Sequence, residues 1–91
     1  MTSQYSMKLA KAIDESGLKL IKIAERAGKI CGSAPSVAYL SRVQNGKTSP
    51  ASDSLNDALA EVLGIDPIEL KIAAYREKLP ADVLEKLQEA K

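Results

Sequence analysis

The chain has no phenylalanine, no tryptophan and no histidine, and it has one cysteine, Cys31. Each absence excludes something. Without histidine there is no imidazole to act as a general base and no Cys/His zinc site. Without a second cysteine there is no internal disulfide. Aromatic residues are 3% of the chain, all of them tyrosine, so the core has to come from Leu, Ile, Val and Ala. That mixture suits small packed helices better than a β-sandwich, which draws on aromatic and β-branched residues. No apolar run approaches the ~20 residues a membrane span needs. No leader-like apolar segment precedes the first polar residues, and the expected compartment is the cytoplasm. No nucleophile–base pair, metal-ligand cluster or phosphate-binding glycine loop stands out. Neither an enzyme nor a metal or cofactor is expected.

What remains is 91 residues with 45% hydrophobic side chains, enough for one core. A domain of this size buries a modest share of its surface, so its stability margin is expected to be small. The net charge of +1 hides an asymmetry. Residues 1–50 hold eight basic and three acidic side chains, a net of +5, and residues 51–91 hold five and nine, a net of −4. A basic front and an acidic back can orient one face toward a polyanion. Chance placement of 25 charges gives the same imbalance often enough to stand as the alternative.

No segment alternates with the period of a strand, and no repeat or low-complexity tract is present. The expected architecture is all-α with five or six helices. A first helix is capped by Ser6 or a neighbour and runs to about Ser16, with Tyr5, Leu9 and Ile13 on one face and Gly17 as its left-handed stop. A second spans about Leu20 to Ala27, with Leu20, Ile23, Ala24 and Ala27 inward, Lys19, Lys22 and Arg26 outward, and Gly28 as the stop. A loop from Lys29 to Ala34 follows. Pro35 suits the first turn of a third helix, capped near Ser33 or Ala34 and ending at about Gln44. A fourth starts near Ser52 or Asp53 and carries Leu55, Leu59, Val62 and Leu63 up to Gly64. Asp66-Pro67-Ile68-Glu69 is a capping-box start for a fifth, carrying Ile68, Ile72, Tyr75 and Leu79. Pro80 opens a sixth, with Val83, Leu84 and Leu87 on one side.

The segment richest in information is Tyr39-Leu40-Ser41-Arg42-Val43-Gln44-Asn45-Gly46-Lys47, closed by Pro50. It reads as the end of a short helix with one apolar side, one polar side and an Asn-Gly stop. Together with Gly17-Leu18, Ile23-Ala24 and Gly28 before it, and Ala60-Glu61-Val62-Leu63-Gly64-Ile65 and Leu70 after it, it resembles the lambda-repressor-like Cro/CI (XRE) helix-turn-helix family. The resemblance covers about Leu9 to Leu70. It implies a five-helix DNA-binding domain over residues 1–78 whose second and third helices form the DNA-binding unit. Leu79-Pro80-Ala81-Asp82-Val83-Leu84 resembles a helical extension seen after this domain in some members, so 79–91 is expected to be a C-terminal extension and a candidate dimerisation element. Three departures mark the chain. The turn between Gly28 and Ser36 holds seven residues, where the family commonly has about one. Lys19-Leu20 replaces the usual Thr-Gln pair that opens helix 2. Gln44 stands where an acidic residue is usual.

The resemblance assigns base-facing positions to Val37, Ala38 and Arg42, and a phosphate contact to Asn45. The long turn can lengthen the entry to helix 3 so that Ser33 and Ser36 reach the DNA, which adds Ser36 to the base-facing set. Arg42 can bond guanine O6 and N7 bidentately, and its bland alternative is a solvated surface arginine. Val37 and Ala38 can touch thymine methyls or face the core. Lys19, Lys22, Lys29 and Lys47 can neutralise phosphates or be ordinary surface lysines. Ser41 can donate to phosphate or pack beside Leu40, and Asn45 can contact phosphate or serve the helix end. Tyr39 reads as a core edge and Cys31 as a small filler. The expected function is sequence-specific double-stranded DNA binding by a transcriptional regulator of repressor type, as a homodimer. Helices 5 and 6 are the expected dimer or protein-partner surface; Ile68, Ile72, Val83, Leu84 and Leu87 can form it or equally close the monomer core. The alternative is a protein–protein interaction module that keeps the fold without reading DNA.

Overall fold

Five helices account for the described residues, 4–78, of the computed structural model: α1 (Gln4–Ser16), α2 (Leu20–Cys31), α3 (Val37–Gln44), α4 (Asp53–Leu63) and α5 (Pro67–Lys78). No strand occurs among these residues. No helix among them is long and apolar enough to cross a membrane. The expected sixth helix with Val83, Leu84 and Leu87, and the 79–91 extension as a whole, lie outside the described residues.

Side chains and glycines at the helix ends explain most of the boundaries. Gly17 takes a φ of 70° after α1, a conformation that costs other residues a steric penalty. Ser52 caps α4 by accepting the Leu55 amide at 3.4 Å, and Gly64 closes that helix in the left-handed region. Asp66 accepts the Ile68 amide at 2.8 Å, with Pro67 as the first residue of α5. The return bond from Glu69 that would complete a capping box is not made among the described residues.

The core is aliphatic, as the composition requires. Leu9 and Ile13 of α1, Ile23, Ala24 and Ala27 of α2, Leu40 and Val43 of α3, Leu59 of α4 and Leu70 of α5 meet in one cluster. α4 packs against α1, α2 and α5, and α3 is held between α1 and α2. One polar network crosses this core. The Tyr5 hydroxyl donates to Asn56 Oδ1 at 2.6 Å and accepts from the Ala51 amide at 3.4 Å. Asn56 Nδ2 and Lys78 Nζ both donate to the Ala51 carbonyl, at 3.0 and 3.3 Å. Burial pushes the Tyr5 phenol up to about 12, because the ionised form has lost its water. The Ala51 amide, which stabilises that ionised form, opposes this in part.

Three sequence expectations need correction. α1 starts at Gln4, and Ser6 is buried within it rather than capping it. α2 does not stop at Gly28 but continues to Cys31 and is capped by Gly32, whose amide donates back to Gly28 O at 2.9 Å. The seven-residue turn is therefore one more turn of α2 followed by a link of residues 32–36. Pro35 precedes α3 rather than sitting in its first turn, and Ser36 is the cap. α5 decides between the core and surface roles left open for Ile68 and Ile72: it buries Leu70, Ala73 and Ala74, while Ile68, Ile72 and Tyr75 are exposed. α4 and α1 cover the side of α5 that carries Leu70 and the two alanines, which leaves Ile68, Ile72 and Tyr75 outside.

Gly28 has a different role from the one its sequence position suggested. A Cβ on this residue would lie 2.6 Å from Ala34 Cβ and 2.7 Å from Ala34 Cα. The link folds back onto α2, and only a residue without a side chain lets it seat there. Cys31 ties the same link by donating its thiol to the Ser33 carbonyl at 3.2 Å.

Candidate nucleic-acid interface

α3 is short, and its two ends are well specified. At the start, Ser36 Oγ accepts the Tyr39 amide at 3.0 Å. At the end, Lys47 N donates to Arg42 O at 2.9 Å and Gly46 N to Val43 O at 3.2 Å, with Gly46 at a φ of 71°. This pair of bonds is a Schellman closure, so the backbone of the Asn45-Gly46-Lys47 turn is fixed by the helix it ends. Leu40 and Val43 are fully buried and seat α3 on the core.

With those two residues inward, Val37, Ala38, Arg42 and Asn45 are exposed and Ser41 is half-buried. Val37 is 38% exposed, which removes the core alternative for it. Arg42 makes no ion pair among the described residues, so its guanidinium is available to a ligand. Asn45 is committed elsewhere: its Nδ2 donates to the Ser41 carbonyl at 2.8 Å and lies 3.5 Å from Ser41 Oγ. The Ser36 hydroxyl has one lone pair occupied by the Tyr39 amide, and its proton remains free to donate outward.

Arg42 lines an open groove with Tyr39 of α3, with Ser33 and Ser36 of the link, and with Ser52 and Ser54 at the start of α4. No carboxylate lines it. Tyr39, Ser52 and Ser54 were not among the expected site residues. The fold brings them to Arg42 because residues 45–52 turn α4 back beside α3, and the sequence offers no local signal for that return.

The expected phosphate-contacting lysines spread over the neighbouring elements. Lys19 sits at the N-terminus of α2, and its carbonyl accepts the amides of Lys22 and Ile23 at 3.0 and 3.1 Å. Lys22 and Lys29 are seven residues apart, on one side of the helix with Arg26 between them. Lys22 pairs loosely with Glu25 at 3.6 Å, a contact between two largely exposed groups that is easily exchanged. Lys47 follows α3 in the Schellman turn. Lys19, Lys29 and Lys47 make no ion pairs among the described residues. The residues brought into one surface are thus Ser36, Tyr39 and Arg42 with Ser33, Ser52 and Ser54. The lysines of α2 lie on a different element and do not line that groove.

Among the described residues, no group of His, Cys, Asp and Glu is arranged to hold a metal ion. Compared with family models, curated proteins and solved structures, the chain matches none.

Proposed function

We propose that this chain is a sequence-specific double-stranded DNA-binding domain of the lambda-repressor-like kind, acting as a repressor-type transcriptional regulator in the cytoplasm. The observation that carries the reading is α3: a capped helix seated by Leu40 and Val43, with an unpaired Arg42 on its exposed side and a fixed Asn-Gly-Lys turn behind it. In this reading α3 enters the major groove, Arg42 bonds a guanine edge, and Val37 and Ala38 meet thymine methyls. Ser36 donates to a base edge at the start of the helix. Lys19, Lys22, Lys29, Ser41, Asn45 and Lys47 hold the phosphates. Asn45 gives its backbone N–H and one Nδ2 proton to the Ser41 carbonyl, so its phosphate contact is made by the second Nδ2 proton, which lies toward Ser41 Oγ at 3.5 Å. One short helix reads few base pairs, so a homodimer on two half-sites is part of the proposal.

Selection of bound sequences from random duplex, followed by a salt titration, tests this. The expected outcome is a two-fold symmetric motif and an affinity that falls steeply with salt. Arg42→Ala is expected to weaken specific binding by about 1–3 kcal/mol and relax one base position. No enrichment, or an unchanged base preference in Arg42→Ala, overturns it.

A second reading is a protein-interaction module that keeps this fold. The exposed Ile21, Ile30 and Val37 on α2 and α3 favour it, since a phosphate-facing surface gains nothing from free aliphatic side chains. Negligible duplex binding at low salt, where nonspecific attraction is strongest, would select it.

A further inference from the structure

The chain has two asparagines, Asn45 and Asn56, and their surroundings are opposite. Asn56 is fully buried in α4, bonded to Tyr5 and Ala51. Asn45 is exposed at the end of α3 and is followed by Gly46, also exposed. An asparagine before a glycine carries its own reaction partner. The glycine nitrogen has no neighbouring Cβ to shield it, and it lies one ring closure from the asparagine side-chain carbonyl.

The fold holds that reaction in check. Asn45 sits at a φ of −95° and a ψ of 4°. With ψ near zero, the Gly46 nitrogen eclipses Asn45's own nitrogen and lies well round the Cα–C bond from Cβ. Its hydrogen is given to Val43 O at 3.2 Å, and the next amide, of Lys47, donates to Arg42 O at 2.9 Å. The leaving group is held too, since Asn45 Nδ2 donates to the Ser41 carbonyl at 2.8 Å. All three bonds belong to the last turn of a helix of 8 residues whose end is exposed. Exposed helix ends open far more often than a core does.

We propose that Asn45-Gly46 is a self-modification site gated by the closure of α3. When the closure opens, the Gly46 nitrogen gives its proton to water or hydroxide and attacks Asn45 Cγ. The N–Cγ bond forms, the Cγ–Nδ2 bond breaks, and Nδ2 takes up a proton and leaves as ammonia. The product is a cyclic succinimide. Water then adds to either imide carbonyl. Opening at Cγ leaves aspartate, and opening at the main-chain carbonyl leaves isoaspartate. Water is the only co-reactant, and nothing is oxidised or reduced. Aspartate replaces the donor beside the Ser41 carbonyl with a negative charge, at the negative end of the helix dipole. Isoaspartate lengthens the main chain by one carbon, so the bonds to Val43 O and Arg42 O no longer close together. Either product loosens the end of α3 that carries Arg42. One consequence rests on the DNA reading: the new charge faces phosphate and releases the chain from duplex.

The modification is tested without DNA. The full chain is kept warm at mildly alkaline pH, folded in one sample and in urea in the other, and followed by peptide mass mapping. Asn45 is expected to convert in both samples to a mixture of aspartate and isoaspartate, while Asn56 stays intact in the folded one. The folded rate is expected to be slower by about tenfold or more, because only open chains react. Asn45→Gln, whose longer side chain closes a less favourable ring, is expected to stay unconverted. Asn45→Asp reproduces one product, and its Lys47 amide is expected to exchange with solvent faster than in the wild type. No conversion of Asn45 in the folded chain, equal rates in the two samples, or aspartate as the sole product overturns the proposal. Duplex binding is a separate arm. Equal binding by wild type and Asn45→Asp removes the consequence for DNA. A wild type that binds no duplex removes the DNA reading and leaves the modification standing.

Discussion

Replacing Tyr5 by Phe removes one oxygen atom and breaks the polar network at its centre. The hydroxyl donates to Asn56 Oδ1 and accepts from the Ala51 amide, and both Tyr5 and Asn56 are buried. Phe fills nearly the same space, so the cost comes from stranded polar groups and not from a cavity. Leaving such groups unsatisfied costs about 1–3 kcal/mol. In a domain of this size that lowers the melting temperature by roughly 5–20 °C. The network also predicts an alkaline signature. Burial raises the folded-state Tyr5 phenol to about 12 from an ordinary value of 10.0. The folded state therefore holds its proton more tightly than the unfolded chain. The contribution is complete below pH 10 and is lost as pH rises toward 12, with a ceiling of about 2.7 kcal/mol. Urea unfolding followed by circular dichroism at stepped pH measures this in both proteins. Lysine titration affects both and cancels in the difference. The wild-type advantage over Tyr5→Phe is expected to be constant up to about pH 9 and to close by about pH 12. A gap under about 0.5 kcal/mol at neutral pH, or one unchanged up to pH 12, refutes the reasoning.

Three further predictions concern the candidate interface. Gly28→Ala should destabilise the fold even though Ala is the better helix former by about 1 kcal/mol, because the added carbon meets Ala34 at 2.6 Å; a raised melting temperature would show that the link is not seated on α2. Ser36→Asp keeps the cap on Tyr39 N and should leave stability within about 0.5 kcal/mol, while its charge weakens duplex binding. Ser36→Ala should cost about 1 kcal/mol of stability, so the pair separates capping from DNA contact in thermal melts and gel shifts. Lys19→Ala, Lys29→Ala and Lys47→Ala should each lower the slope of log affinity against log salt by about 1 without altering base preference, and an unchanged slope removes that lysine from the phosphate set.

Much of the helical plan was legible because its signals are local. Gly17, Gly64, the Asp66-Pro67 start and the Asn45-Gly46 stop all act within one turn of the chain. Gly28 was misread because a glycine that ends a helix and a glycine that admits a neighbour look alike until the neighbour is known. Here the neighbour is Ala34, six residues on, and it reaches Gly28 only because α2 continues past it. The polar core was partly legible. Asn56 shares a helical face with Leu59, Ala60 and Leu63, which is an odd place for an amide, but its partner Tyr5 lies 51 residues away. For α5 the sequence left two roles open for Ile68 and Ile72, core or outer surface, because the choice depends on which side the neighbouring helices cover; they cover Leu70, Ala73 and Ala74. In the candidate interface, the exposure of Arg42 followed from the α3 pattern. Ser36 and Ser33 of the link were foreseen from the long turn, whereas Ser52 and Ser54 of α4 were not, since their meeting with Arg42 depends on a tertiary turn.

The Tyr5–Asn56 bond also bears on how the chain is born. A ribosome releases residue 5 long before residue 56, and until Asn56 emerges the Tyr5 hydroxyl has no native acceptor to meet. The first helix must therefore wait, with Tyr5, Leu9 and Ile13 unshielded, while α2, α3 and the start of α4 are synthesised. Native closure of this domain is then a late event of synthesis, and nascent chains arrested before Asn56 are the ones most exposed to aggregation and proteolysis.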